Sequence, residues 1–267
     1  MIYISSFRLS GEKVKNPNIY PYNVFADKEW DPFVFGRITV LCGNNASGKS
    51  TLLNIIGNVL SLYGTEDVAV WGSRGYFTEF CSQCGYSLGE EEDGRPIKKI
   101  PLHSRYIKSE DVLYEIKKIQ KAAILEEDYV YEHVRRGMKK EEALAQQKKE
   151  SPNFLEIQRF AQEKYSNGET SLQLFDDWIE PNALYLMDEP EVSLSPQNQI
   201  ALAEKLNDMS RFLNCQFIIA THSPFMLGTL DARIYDIDSR YAEVKKWNEL
   251  DHVRFMYDFF QKHRDEF

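Results

Sequence analysis

Four cysteines in 267 residues are too few for a disulfide framework. Cys42 and Cys215 stand in apolar, strand-like runs and read as buried thiols, while Cys81 and Cys84 form a single C-x-x-C. A structural zinc needs four ligands. No second pair follows and His103 is the nearest histidine, so zinc is not expected. Positive charge is also short: 32 Lys and Arg stand against 41 Asp and Glu, a formal net charge of −9. This excludes a whole-chain basic footprint for nucleic acid and leaves only a local one. No apolar run has the length of a bilayer span, so no membrane insertion is expected. The start, Met1–Arg8, lacks the basic stretch and long apolar core of a signal peptide. With free thiols, these absences point to a reducing, cytoplasmic setting.

What is present is enough apolar and aromatic material, 43% and 13%, to bury a full core. The length suits one large α/β domain, and we read 1–267 as a single domain with a helical lobe over 109–167. Strands are expected at Ile2–Arg8, Phe33–Leu41, Val68–Trp71, Pro96–Ile107, Ala183–Met187, Cys215–Ala220 and Ile234–Ile237. Helices are expected over Gly48–Tyr63, Glu169–Ile179, Pro196–Leu213 and Leu250–Lys262. Lys13–Asp31 and the acidic Gly85–Gly94 read as loops. From Ser109 to Tyr165 the chain is dense in Lys, Glu, Gln and Ala, with apolar residues at helical spacing. It reads as two to four helices broken near Gly137 and at Ser151-Pro152. Strands alternating with helices argue a mainly parallel, covered sheet. The aromatics of the closing helix, Phe255, Tyr257, Phe259 and Phe260, are read as core packing.

Two motifs carry chemistry. Gly43-Asn44-Asn45-Ala46-Ser47-Gly48-Lys49-Ser50-Thr51 fits G-x-x-x-x-G-K-[ST], between an expected strand and an expected helix. Its glycines let backbone N–H groups curl toward phosphate oxygens. Lys49 supplies a point charge for β- and γ-phosphates, and the Ser50 hydroxyl can ligate Mg²⁺. The second motif is the apolar run Ala183–Met187 ending in Asp188 and Glu189, two carboxylates at the sheet edge. Asp188 suits a Mg²⁺ shell, and Glu189 can orient or deprotonate an attacking water.

Together with three further segments, these resemble the ABC-type ATPases. Tyr165-Ser166-Asn167-Gly168-Glu169 looks like the family signature, which contacts the γ-phosphate held by the other subunit. The bare chemistry agrees, since Ser166, the Gly168 backbone and a following helix N-terminus make an anion site. Glu191–Pro196 resembles the D-loop, with Ser195 where an acidic residue is usual. His222 matches the switch histidine at the γ-phosphate, and with Lys49 and Glu189 completes the implied catalytic set. The Gln loop is not matched: Gln83 fits poorly, and Ser109 or Glu110 stands in order. Ile4-Ser5-Ser6-Phe7-Arg8 is similar to the Asn-Phe-Arg strand of the soluble RecF/SMC-like, AAA-family branch, in which the arginine reaches nucleotide phosphate.

The resemblance implies a P-loop NTPase fold of mixed sheet and flanking helices, with a helical lobe inserted before the signature. It implies ATP and Mg²⁺ as cofactors, and a head-to-tail homodimer closed by ATP. Three roles stay open: a switch working with nucleic acid or a nuclease or defence partner, the ATP-binding subunit of a membrane transporter, or an ATP-gated protein clamp with little turnover.

Overall fold

Runs of β-branched and apolar residues that are buried from end to end build the centre of the molecule, as strands covered on both faces require. The structure is a computed structural model, and it describes residues 1–14, 16, 18–66, 74–91, 93–143, 146 and 167–267. Strands β3 (Ile38–Cys42), β6 (Leu184–Asp188) and β7 (Gln216–Ala220) are wholly buried. They join β5 (Arg105–Lys108), β8 (Arg233–Asp236) and β9 (Glu243–Val244) in one sheet of order β5-β6-β7-β3-β8-β9. Every pairing from β5 to β8 is parallel, and only β9 runs antiparallel at the edge. Parallel neighbours need crossovers. Helix α1 (Lys49–Val59) follows β3, and α5 (Pro196–Phe212) precedes β7.

A second, smaller sheet has the order β2-β1-β4 and is antiparallel throughout. It contains β1 (Ile4–Arg8), β2 (Phe33–Val34) and β4 (Gly85–Leu88). The expected single strand Phe33–Leu41 is thus two strands in different sheets. The break falls at Gly36, whose N–H donates to the Thr39 hydroxyl at 2.9 Å. The expected loop Gly85–Gly94 begins with β4. Its Tyr86 and Ser87 side chains are exposed, so it shows none of the apolar continuity that marks a central strand. Helix α2 (Arg74–Gln83) was not expected, although it buries Phe77 and Phe80 one helical turn apart. The strand expected over Pro96–Ile107 is confined to β5, and Val68–Trp71 lies outside the described residues.

A buried glutamine ties the two sheets together. The Gln216 side chain on β7 accepts from Tyr3 N–H (2.8 Å) and Ile4 N–H (3.0 Å), and donates to Ile4 O and Gly36 O (2.9 Å each). All of its amide groups are used, which is what burial of such a side chain requires. Around it packs an apolar core with edge-on aromatic pairs, Tyr22 with Phe80 and Phe33 with Tyr235.

The chain divides into two compact units. The first comprises Met1–Ser109, Ile179–Val192 and Gln199–Phe267, and the second Glu110–Trp178 with Ser193–Asn198. Helices α3 (Ser109–Arg135), apart from Ser109, and α4 (Asn167–Trp178) belong to the second unit. Ser109 opens α3, with Glu110 and Asp111 in the first turn, where carboxylates offset the helix dipole. The break expected at Gly137 is present, with this residue in the left-handed region, while Ser151-Pro152 lies outside the described residues.

A short helix, α6 (Pro224–Thr229), follows β7, and α7 (Asp251–Lys262) closes the chain. The expected core role of the α7 aromatics is not what the structure has. Val253 is its buried residue, while Phe255 is 74% and Tyr257 62% exposed. One apolar anchor seats this helix, and its ring-bearing faces turn to solvent.

Candidate functional site

The register of the main sheet brings three motifs to one level. Ala220 on β7 pairs with Asp188 on β6 and with Leu41 on β3. The residues just beyond those strands therefore lie side by side: the phosphate loop after β3, Glu189 after β6, and Thr221-His222 after β7. Carboxyl ends of neighbouring parallel strands are where open α/β sheets bind ligands.

The phosphate loop Gly43–Thr51 curls as its composition requires. Ala46 (φ 65°) and Gly48 (φ 99°) adopt the left-handed region, and Ser47 N–H donates to Asn44 O at 3.2 Å. The buried Lys49 directs its ammonium into the curl, donating to Gly43 O at 2.8 Å and Asn44 O at 3.0 Å. Ser50 and Thr51 open α1, and the neighbouring Asn45 is exposed. There is no room for a side chain at Gly43. A Cβ there would stand 2.7 Å from Ser47 Oγ and 2.9 Å from Asp238 Oδ1.

Sequence reasoning missed a clasp that holds this loop from outside. Asp238 accepts from Asn44 N–H at 2.6 Å and from the Asn44 side chain at 2.8 Å. Lys28 in turn donates to the carbonyls of Ile237 (2.9 Å), Asp238 (2.7 Å) and Ser239 (3.2 Å). Val24 and Phe25 lie against Gly48, and Tyr20 shares a hydrogen bond with Thr51. The Asn-, Pro- and Tyr-rich segment read as a plain loop is therefore a strap over the phosphate loop. No motif marks it, because the carbonyls that Lys28 holds lie more than 200 residues away in sequence. Beside it a cavity of about 670 Å³ is lined in part by Arg8, Lys13, Phe25, Lys28, Trp30 and Gln83. Arg8 thus lies at the end of β1 in a cavity that shares Phe25 with the loop. Gln83 bonds to Ser10 and Glu12 there, on the β1 side.

Asp188 is buried, and Tyr106 on β5 donates its hydroxyl to Asp188 Oδ2 at 3.2 Å. Lys108 pairs in register with Asp188, so Ser109 is the next residue beyond that level on the neighbouring strand. Glu189 sits at φ 45°, in a region costly for a residue with a side chain, and donates its N–H to Ala220 O at 2.9 Å. Its Oε1 is 3.5 Å from Nδ1 of the half-exposed His222. Glu191 is buried beside the same ring nitrogen, with Oε1 3.7 Å from Nδ1. It also accepts from the Thr221 hydroxyl at 2.5 Å and from His222 N–H at 3.2 Å. Burial raises the Glu191 carboxyl above its usual range, opposed by those bonds and by His222. His252 on α7 hydrogen-bonds to the His222 backbone, and burial followed by the nearby His222 lowers its basicity. Ser223 caps α6 by accepting from Met226 N–H at 3.2 Å.

Ser166 lies outside the described residues, while Gly168 and Glu169 fall in the first turn of α4. Ser195 caps α5 by accepting from Asn198 N–H at 3.3 Å. Cys42 and Cys215 are buried as expected, and burial pushes Cys42 up to about 12. Cys81 and Cys84 are partly buried and shifted by the same cause to about 12 and about 11.

Residues 168–227 match the family model of the AAA ATPase domain. Over that stretch the chain is similar to an ATPase domain. The matched stretch runs from the signature glycine through Asp188 and Glu189 to just past His222, which agrees with the RecF/SMC-like, ABC-type resemblance. Among solved structures, the chain is similar to an Smc head domain from Pyrococcus furiosus bound to the C-terminal domain of ScpA. They share 15% identity, with 98% of this chain and 100% of that chain covered and a TM-score of 0.44. It is also similar to an SMC head domain from Thermotoga maritima (12% identity, 92% and 99% covered, TM-score 0.43). A nucleotide-free ATP-binding cassette from an ABC transporter gives 14% identity, 96% and 99% coverage and a TM-score of 0.46. The fold assignment rests on the strand order and register above, not on these scores. No curated protein matches the chain in sequence.

Proposed function

We propose that the chain binds ATP with Mg²⁺ and hydrolyses it, and that two copies close head to tail around the nucleotide. The convergence of Lys49, Asp188, Glu189 and His222 at adjacent strand ends carries this reading. Asn45, Ala46, Ser47 and Gly48 would offer backbone N–H groups to phosphate, and Lys49 would turn its ammonium to the β- and γ-oxygens. Ser47 Oγ, buried without a hydrogen-bond partner among the described residues, fits a phosphate oxygen. Ser50 and Asp188 offer oxygen donors, the donor type that Mg²⁺ takes. When bound, the metal would spread charge off the β- and γ-oxygens. Glu189 would orient or deprotonate the attacking water, and His222 would face the γ-phosphate. Arg8 would reach nucleotide from the cavity beside the strap. Ser166, Gly168 and Glu169 of a second copy would complete the anion site.

In this scheme the γ-phosphate joins two surfaces that repel without it, so ATP favours the closed dimer and hydrolysis releases it. A soluble role with a nucleic acid or nuclease partner follows from the Arg8 strand and the unmatched Gln loop. The decisive experiment is the mass of the Glu189→Gln variant in solution. A dimer with ATP that is absent with ADP supports the reading, and a monomer with every nucleotide overturns it. A salt titration of DNA binding with and without ATP tests the partner. An ATP-independent result removes nucleic acid from the proposal.

A further inference from the structure

Glu191 has no part in the proposed hydrolysis, yet it is a carboxylate taken almost wholly out of water, with a side chain 6% exposed. One oxygen accepts from Thr221 and from the His222 N–H. The other, Oε2, is buried with no hydrogen-bond partner among the described residues. A neutral amide could make the same two bonds without the cost of desolvating a charge. Hydrogen bonding alone therefore does not account for a glutamate at this position.

The charge adds direction. Nδ1 of His222 stands 3.7 Å from Glu191 Oε1 and 3.5 Å from Glu189 Oε1. This nitrogen faces two carboxylates, so Nε2, across the ring, faces away from them. A carboxylate at one ring nitrogen fixes the tautomer and orientation of an imidazole that works through the other. Glu189 cannot serve both as that anchor and as the residue that handles water. The more deeply buried Glu191, already fixed by the two bonds to the Thr221-His222 turn, can.

We infer that Glu191 is a positioning residue that keeps Nδ1–H of His222 turned inward, presenting Nε2 to the γ-phosphate. The inference rests on the ATPase reading above and goes beyond it, because it assigns a second carboxylate to the switch histidine. Glu191→Gln keeps the volume and the acceptor but removes the charge. Turnover at saturating ATP should fall at least tenfold, with the ATP dissociation constant within threefold of the parent. The ring-nitrogen NMR signals of His222, assigned by a His222→Gln variant, should shift in the nucleotide-free protein. Thr221→Val loosens Glu191 without touching its charge and should give a smaller loss of turnover with the same split. Turnover of Glu191→Gln within twofold of the parent, or parallel loss of affinity and turnover, would overturn the inference. So would unchanged His222 signals, which can be read even if the parent protein proves not to hydrolyse ATP. That last outcome would instead count against the ATPase reading.

Discussion

The two sheets among the described residues are built by different rules. The six-stranded sheet has β3, β6 and β7 buried at every residue, so each announces itself as an unbroken apolar run. The three-stranded sheet mixes buried, half-buried and exposed positions over strands as short as Phe33–Val34. The first sheet carries the candidate site at its strand ends. The second carries none of the motifs except the Arg8 strand, and serves through Gln216 as an attachment for the first. Where a protein must hold several groups at one level, it does so with central parallel strands, whose register is hard to shift.

That contrast can be sharpened experimentally. The largest effect is expected at the end of β3. Lys49→Ala should lower ATP turnover by on the order of 10³-fold, measured by phosphate release, since it removes the charge nearest the transferred group. A loss below tenfold would break the assignment of catalysis to the main sheet. Next is the link between the sheets. Gln216→Leu leaves four backbone groups of the smaller sheet and its flank unpaired, and should cost on the order of 3–5 kcal/mol in urea unfolding. An unchanged midpoint would mean that the sheets hold together without it. Asp238→Ala and Lys28→Met should each weaken ADP binding about tenfold by calorimetry while leaving turnover at saturation within about twofold, because the clasp shapes the loop without touching reacting atoms. Lys28→Arg should recover most of the affinity.

The smallest effects belong to the periphery. Phe259→Ser, on an exposed face of α7, should change stability by about 0.5 kcal/mol or less, whereas Phe217→Ala in β7 should cost about 3–5 kcal/mol. For the thiols the sign is simple. Burial raises Cys81 to about 12 and Cys84 to about 11, so both stay protonated and unreactive through neutral pH. Iodoacetamide at about pH 8 should label them far more slowly in the folded protein than in urea. Fast labelling of the folded protein would contradict the packing.

The same contrast explains what the sequence made legible. Gly43–Thr51, Asp188-Glu189 and His222 were readable because each follows a run whose burial is written in consecutive apolar residues. The phosphate loop added glycines that no other geometry demands so directly. Strand β4 and helix α2 were not readable, since Tyr86 and Ser87 face solvent and Phe77 and Phe80 are too few to set a period. Lys28, Tyr106, Asp238 and His252 were missed for a different reason. Their significance lies in a neighbour far away in sequence, and only the folded chain supplies it. Glu191 was seen as part of a loop motif, but its tie to His222 depends on the pairing of β6 with β7.

The tie at Gln216 also bears on how the protein is made. The side chain that satisfies the N–H groups of Tyr3 and Ile4 is synthesised 213 and 212 residues after them. Strand β1 can pair early with β2 and β4, but its attachment waits for Gln216 on β7. Pairings of such long separation are slow to close and leave edges open meanwhile. Synthesis therefore leaves the smaller sheet without its tie until β7 emerges, and a chaperone that shields nascent chains would be most useful over that interval.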